Sequence, residues 1–186
     1  MRLSGALNTL ARSVEERDAY TRMHSKNVAG YAETVARHMH LSKQDQLVIR
    51  IAGELHDIGM IGVPQDILGK SEKLSLGEHD LVKRHTDEGA SILHHLIDFD
   101  AVIQAARYHH EQYDGSGYPE GRLGVAIPRT ARLIAICDVW DALTTDRPYR
   151  AAFERDEAKE ILMKGSGTQF DPEILKAFVA AIVNET

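Results

Sequence analysis

Histidine and aspartate side chains recur in this chain at positions where they could bind a metal ion. His56-Asp57 closes an apolar helical segment just before Gly59, and His109-His110 directly precedes a glycine-rich loop. Asp138 falls within an apolar stripe, where a carboxylate is costly to bury unless it is paired or bound to a cation. The full set of candidate metal ligands is His24, His56, Asp57, His85, His109, His110 and Asp138.

The composition of this set indicates which metals it would bind. Imidazole together with carboxylate suits Mn, Fe, Zn or Ni better than Ca or Mg. Five imidazoles and two carboxylates exceed the needs of one tetrahedral site, which favours two ions. Neighbouring residues on a helix point about 100° apart, so His56 and Asp57 could serve one ion from two sides, or Asp57 could bridge two ions.

The chain has ten histidines among its 186 residues, and the other five are interpreted as surface or structural residues. These are His38, His40, His79, His94 and His95. The adjacent pair His94-His95 is not followed by a glycine loop, and no other ligand-type residues accompany it. Cys137, Trp140 and Phe178 are predicted to belong to the core.

Charge and cysteine content exclude several classes of protein. The chain carries 22 Lys and Arg against 28 Asp and Glu, a formal net charge of −6, and lacks a Lys/Arg-rich run. A binder of polymeric nucleic acid is therefore not expected. The single Cys137 excludes an intramolecular disulfide framework and suits a reducing compartment. The N-terminal residues do not resemble a signal peptide, and no apolar run reaches 18 residues. We expect a cytoplasmic protein without a membrane segment.

Apolar residues recur at three- and four-residue steps, which predicts an all-α fold. His24 is placed in the first turn of one helix and His85 in the middle of another. The predicted helices cover 21–40, a segment from about 47 that Gly59 ends, 75–96, 99–111, 128–144, 155–164 and a last helix beginning at Asp171-Pro172.

The longest irregular stretch, 112–127, holds four of the 14 glycines. A loop of this length in a compact domain is usually functional or disordered, and its Gly and Pro positions favour ordered turns. At most a short hairpin is expected at 118–127. Residues 1–18 are interpreted as a lead-in helix, or as the end of a connector from a sensory domain.

Five strings together resemble the HD-GYP family of HD-superfamily phosphohydrolases. The resemblance spans about residues 15 to 182 in the order and spacing of the family, so we assign residues 19–186 to one HD-GYP domain. In this sequence the strings read DAYTRMHSKNVAGYA, IAGELHDIGMIGVPQDILGKSEKLSLGEH, ARYHHEQYDGSGYPEG, ARLIAICDVWDALTTDRPYR and GTQFDPEIL.

The resemblance implies a helical bundle with a metal centre in its core, beside the long GYP loop. It implies hydrolysis of cyclic di-GMP to pGpG, in some members on to GMP, by two divalent transition-metal ions, usually iron or manganese. The same seven residues are the implied ligands, with Asp57 bridging the ions and His56 and Asp57 as the catalytic pair. Two such metals lower the pKa of an attacking water and stabilise charge on the phosphate.

The substrate is a dianion, so cationic side chains should bind its phosphates. The phosphate contacts of the family match Arg147 and Arg150, and Arg suits phosphate through its planar fork of donors. Tyr118 of the GYP loop is a candidate contact for a guanine or for a partner domain.

This sequence departs from the family pattern at two positions. Met60 stands where the family usually has a lysine that contacts the substrate phosphate, which predicts weaker turnover or an altered substrate preference. Tyr20 stands where members with a third metal carry a glutamate, so we expect two ions rather than three.

Two alternatives to a cyclic di-GMP phosphodiesterase stay open. Met60 favours a degenerate module that binds the nucleotide or a partner domain without efficient turnover. An HD phosphohydrolase acting on another nucleotide or cyclic dinucleotide is the other, and the GYP loop argues against it. The partners considered are a sensory or receiver domain, a diguanylate cyclase domain and a second copy of the chain.

Overall fold

The computed structural model describes residues 19–70, 72–146 and 151–184. The predicted lead-in helix 1–18, Arg147, Arg150 and the side chain of Tyr20 lie outside the described residues. The α-helices of the described part are α1 (Ala19–His38), α2 (Lys43–Leu55), α3 (Gln65–Leu68), α4 (Leu76–Lys83), α5 (His85–His94), α6 (Asp100–Tyr108), α7 (Arg129–Thr144), α8 (Arg155–Lys164) and α9 (Pro172–Phe178). Two 3-10 turns (Ile58–Gly62 and Gly124–Ala126) and a π-helical turn (Val179–Val183) accompany them.

Several of these helices begin at side chains that bond to free backbone amides. The Ser42 hydroxyl accepts a hydrogen bond from the backbone N–H of Asp45 at the start of α2. Ser75 and Glu78 form a reciprocal capping box at the start of α4. Asp171 caps α9, and Pro172 occupies its first turn, as the sequence predicted.

The apolar core lies where α1, α2, α6 and α7 pack together, with α8 and α9 covering one end. Helices α1 and α2 approach so closely at Gly53 that a Cβ added there would lie 2.6 Å from the Cα of Ala29. The rings of Trp140 and Phe178 meet edge to face in the core, and Cys137 is fully buried. The prediction that these three residues belong to the core is confirmed.

Four predicted helices differ from the observed ones, each at a residue of the candidate site. Helix α2 ends at Leu55 rather than near Gly59. The predicted helix 75–96 is broken at Arg84, so His85 begins α5 instead of lying in mid-helix. Helix α6 ends at Tyr108, before the His109-His110 pair, and α1 begins early enough to place His24 in its second turn.

The described residues form no β-strand, which confirms the all-α class and rules out the short hairpin at 118–127. Only isolated bridges occur there, including one between Asp114 and Leu123. In the described part of the chain, none of the helices is long and apolar enough to cross a membrane.

Candidate metal centre

The seven predicted ligands come from five separate helices, or the turns that follow them, and they meet in one cluster. Their positions are His24 on α1, His56 and Asp57 after α2, His85 at the start of α5, His109 and His110 after α6, and Asp138 on α7. The turn after Asp57 packs directly on α5, because a Cβ at Gly59 would lie 1.9 Å from the carbonyl oxygen of His85. Glycine at this position allows Asp57 and His85 to reach the same site.

Asp57 lies at the middle of the cluster, and its two carboxylate oxygens face different histidines. Oδ2 lies 3.4 Å from His56 Nε2 and 4.0 Å from His24 Nε2. Oδ1 lies 3.4 Å from His85 Nε2 and 3.5 Å from His109 Nε2. Ligand atoms of Asp57 and His110 also fall within 4.8 Å of each other. Two groups of donors therefore share one carboxylate.

Asp57 does not have the helical backbone conformation that the predicted helix ending at Gly59 implied. His56 keeps helical backbone angles as the C-cap residue that follows α2, whereas Asp57 has φ −98° and ψ 14°. This change of backbone conformation at Asp57 begins the 3-10 turn. Both oxygens of Asp57 face histidines of the cluster.

Backbone carbonyls fix the orientation of three of the imidazole rings. The Nδ1 atoms of His56, His85 and His109 lie 2.9, 2.6 and 3.0 Å from the carbonyl oxygens of Gly53, Val82 and Ala106. A carbonyl oxygen can only accept, so Nδ1 carries the proton and a neutral ring presents its Nε2 lone pair to the cluster. This is the arrangement that metal-binding histidines adopt in proteins.

Among the described residues, the ligand atoms of the cluster are arranged to bind a cation rather than to form hydrogen bonds with one another. The Nε2 atoms of His85 and His109 lie 3.4 Å apart, so two lone pairs face one another when both rings are neutral. The buried Nε2 of His56 has no hydrogen-bond partner among the described residues. Buried polar atoms without partners are rare in folded proteins, and a cation between these nitrogens removes both conflicts.

The charges of the cluster also favour a bound cation. Burial opposes ionisation of Asp57, but His56 and the hydrogen-bonded His109 hold its pKa well below the usual range. Burial and the neighbouring His109 lower the pKa of His110 to about 3. Burial lowers the pKa of His85 as well. Burial opposes the charge on His56 too, but the neighbouring Asp57 outweighs burial and raises its pKa. An ionised carboxylate beside the neutral imidazoles of His85 and His110 suits a metal site, and a metal ion would displace the second proton of His56.

His24 is held from two sides by carboxylates. Its Nε2 lies 3.2 Å from Asp138 Oδ1, and its Nδ1 lies 2.7 Å from Asp141 Oδ2. Burial lowers the pKa of His24, but the hydrogen bonds to Asp138 and Asp141 outweigh burial and raise it to about 10. Asp141 is fully buried and also accepts a 2.7 Å hydrogen bond from Asn27 Nδ2. Asp141 therefore orients His24 toward the cluster.

We expect Asp141→Asn to weaken metal binding about 10- to 100-fold, the usual effect of removing a carboxylate that orients a metal-binding histidine. The asparagine amide can donate to His24 Nδ1, which would move the ring proton to Nε2 and block its lone pair. Competitive metal titration measures the change. Thr145→Val is the matched control, since Thr145 bonds to the other oxygen of Asp141 at 3.3 Å. A folded Asp141→Asn protein with unchanged metal affinity would contradict this role.

The GYP loop packs closely against the backbone next to the cluster. A Cβ at Gly117 would lie 2.2 Å from the backbone nitrogen of Gln112, so only glycine allows this approach. The backbone N–H of Tyr118 donates to the carbonyl of His110, and the two rings stack with centroids 4.9 Å apart. The loop therefore places the Tyr118 ring against a predicted metal ligand.

Glu111, which is buried, acts as the clamp of this loop. One of its carboxylate oxygens accepts from the backbone N–H of Glu120 at 2.8 Å, and the other from that of Arg122 at 3.0 Å. The Arg122 guanidinium lies over the ring of Tyr108, 3.8 Å from its centroid, and donates to the hydroxyl of that tyrosine. These contacts close the loop directly beside His110.

We expect Glu111→Gln to lower the free energy of unfolding by about 1–3 kcal/mol, because its NH₂ group would face a backbone N–H that needs an acceptor. Urea unfolding measures this loss. Glu160→Gln, an exposed carboxylate on α8, is the control and should be neutral. If the two variants unfold at the same urea concentration, Glu111 does not clamp the loop.

The other predicted residues are placed as follows. Met60 is half-buried on the turn after Asp57 and packs against the core. Tyr118 is half-buried at the cluster, whereas the structure does not describe Arg147 or Arg150. The five histidines assigned to structural roles are all exposed.

Sequence reasoning missed Asn27, Glu111 and Asp141 as parts of the site. Asp141 lies three residues after Asp138, on the same face of α7, and this spacing was a usable signal. The roles of Asn27 and Glu111 depend on long-range packing, which gives no local pattern.

The fold is all-helical, and a buried cluster of histidines surrounds a shared aspartate. These two features are typical of helical proteins that bind divalent metal ions in their core. The family model described as "HD domain" matches residues 7–174. The chain belongs to the HD domain family, and the resemblance found in the motifs is confirmed.

Known proteins similar to this chain support that assignment. The chain is 40% identical over 177 residues to the cyclic di-GMP phosphodiesterase response regulator RpfG of Xanthomonas campestris pv. campestris, covering 93% of this chain and 46% of the relative. It is 39% identical over 169 residues to 3'3'-cGAMP-specific phosphodiesterase 3 of Vibrio cholerae, covering 91% and 37%. The chain thus spans less than half the length of these relatives.

A solved structure also shares the fold. A protein of Bdellovibrio bacteriovorus described as an HDG"Y"P protein superposes with a TM-score of 0.71 at 19% identity, covering 90% of this chain and 53% of that one. At this identity the similarity concerns the fold alone.

Proposed function

We propose that this chain is a metal-dependent phosphodiesterase domain that hydrolyses cyclic di-GMP to pGpG. The observation that carries the proposal is Asp57, whose two oxygens face two separate groups of histidines. A carboxylate shared in this way suits a pair of ions, and two-metal sites hydrolyse phosphate esters. The names of the relatives support a cyclic dinucleotide as substrate. We assign this domain to residues 19–186.

In this proposal the seven clustered residues hold two divalent transition-metal ions, with iron or manganese the best fit to imidazole and carboxylate. When bound, the ions would polarise the phosphate and lower the pKa of an attacking water. His56, His85 and His109 keep their protons on Nδ1, through the carbonyl bonds described above, so that Nε2 stays free. Asp141 holds the Nδ1 proton of His24 in the same way, and a bound ion would displace the Nε2 proton of that ring.

The remaining residues would hold the substrate. Tyr118 offers an aromatic face beside His110 on which a guanine could stack. Burial and the nearby Asp57 and Asp138 raise the pKa of the Tyr118 hydroxyl, so the ring stays neutral beside an anionic ligand. Arg147 and Arg150 are proposed as phosphate contacts on the motif resemblance alone.

The test is anaerobic purification, elemental analysis and product analysis with cyclic di-GMP, 3'3'-cGAMP and cyclic di-AMP. We expect about two ions per chain and pGpG as the first product from cyclic di-GMP. Close to three ions per chain would contradict the prediction made from Tyr20. Faster turnover of another cyclic dinucleotide would keep the enzyme class and change the substrate.

Met60 favours a second candidate function. In it, the chain is a module that binds the nucleotide or a diguanylate cyclase domain without efficient turnover. An apolar side chain there removes a cation that a phosphate would use. Binding of cyclic di-GMP by the Fe(II)- or Mn(II)-loaded protein with no product would establish this candidate and overturn the first.

A further inference from the structure

Lys83 lies at the edge of the candidate metal centre and has no role in the assignments above. It is the last residue of α4, two positions before His85, and its side chain is exposed. Its ammonium lies over the ring of Tyr118, 5.5 Å from the ring centroid. That distance falls within the range of a cation–π contact. Because Tyr118 in turn stacks on His110, one aromatic ring separates this ammonium from the cluster.

Lys83 keeps its charge available to a ligand. Arg107 and Arg122, at the same loop, pair with carboxylates of Asp87 and Glu120. In the ranges that the structure describes, the Lys83 ammonium makes no ion pair with a carboxylate. A cation held by an aromatic ring and not neutralised by a carboxylate is well suited to bind an anion.

Lys83 and Met60 lie close to the same contact between two backbone segments. The turn that carries Met60 and the start of α5 meet at the contact between Gly59 and the carbonyl of His85. Met60 follows Gly59 by one residue, and Lys83 precedes His85 by two. Met60 and Lys83 therefore each lie within two residues of this backbone contact, and only Lys83 carries a charge.

We propose that Lys83 binds a phosphate of the cyclic dinucleotide and supplies part of the cationic contact that Met60 cannot make. This inference rests on the proposed function. In the free protein Tyr118 holds the ammonium near the mouth of the site. A bound dianion offers the ammonium a stronger partner than the ring, since a hydrogen bond between ionised groups is stronger than an exposed cation–π contact.

The test compares Lys83→Met with Lys73→Met. Lys73 is exposed in the segment just before α4, so its loss changes the net charge equally without touching Tyr118. We expect Lys83→Met to raise both the Kd and the KM for cyclic di-GMP about tenfold, with kcat within about twofold, as the loss of one charged contact predicts. Lys83→Arg, which keeps the charge, should stay within about threefold of the wild type.

The dependence of KM on salt separates a phosphate contact from a purely structural role. Added salt screens an exposed ionic contact, so the increase of KM with salt should be smaller in Lys83→Met than in Lys73→Met. Equal KM, Kd and salt dependence in these two variants would overturn the proposal.

Calorimetry measures the binding of cyclic di-GMP without requiring its hydrolysis, so it tests the role of Lys83 separately from the proposed reaction. If the wild type binds the nucleotide without hydrolysing it, the reaction is overturned, and the Kd ratio of Lys83→Met to Lys73→Met still decides the role of Lys83. If the wild type does not bind the nucleotide, both the reaction and the role of Lys83 are overturned.

Discussion

Asp57→Asn should abolish turnover of cyclic di-GMP, the proposed substrate, by at least about a thousandfold, and should remove both of the proposed metal ions together. The reason is geometric, since Oδ1 faces His85 and His109 whereas Oδ2 faces His56 and His24. An amide offers only one oxygen and no negative charge, so it cannot serve both groups. Losing the shared ligand removes the charge stabilisation of the site, and one such contact alone can be worth about a hundredfold to a thousandfold.

Two further variants make this prediction specific to the shared carboxylate. His56→Ala removes a donor on the Oδ2 side and His85→Ala one on the Oδ1 side, so each should lose one ion and retain the other. Asp98→Asn, an exposed carboxylate between α5 and α6, should keep both ions and full activity. Elemental analysis of the four proteins, with circular dichroism to confirm folding, measures the pattern. A folded Asp57→Asn protein that retains two ions would show that Asp57 does not bridge them.

The clustering of the seven residues was predictable. Six of them lie in short motifs within two turns of a helix end, and the seventh, Asp138, is a carboxylate within an apolar stripe. Imidazole and carboxylate at such places are hard to explain by packing alone, and the five strings fixed their order. The helical class followed from the apolar periodicity in the same way, and α8 has the predicted bounds. The number of helices did not, because the segment 75–96 forms two helices and the short α3 was not predicted.

The geometry within the site was not predictable from local patterns. The segment 75–96 contains no proline and has no glycine at the break, yet the helix is interrupted at Arg84. The interruption lets His85 Nδ1 reach the carbonyl of Val82 while Nε2 faces Asp57. The contact of His24 with Asp141 spans 117 residues of sequence and exists only because α1 packs on α7. Tertiary contacts of this kind override or lie beyond local propensity.

Met60→Lys should raise the turnover of cyclic di-GMP about tenfold to a hundredfold. A new ammonium at this position would make an ionic hydrogen bond to the substrate phosphate, worth roughly 1.5–3 kcal/mol. The turn can accept the change, since its backbone is held by hydrogen bonds from Met60 N to the Asp57 carbonyl and from Val63 N to the Met60 carbonyl. Met60 is half-buried, so the lysine stem can keep much of the apolar contact while its ammonium reaches solvent.

Met60→Gln separates charge from shape, because glutamine has similar length and no charge. It should leave turnover within about threefold of the wild type, given that a neutral donor binds phosphate far more weakly than an ionised one. Steady-state kinetics on metal-loaded protein, with thermal unfolding as a check on folding, measures all three chains. If Met60→Lys is folded and metal-loaded but no faster than Met60→Gln, the missing lysine does not limit this site. In that case the cationic contacts of the site, Lys83 among them, already suffice for the substrate.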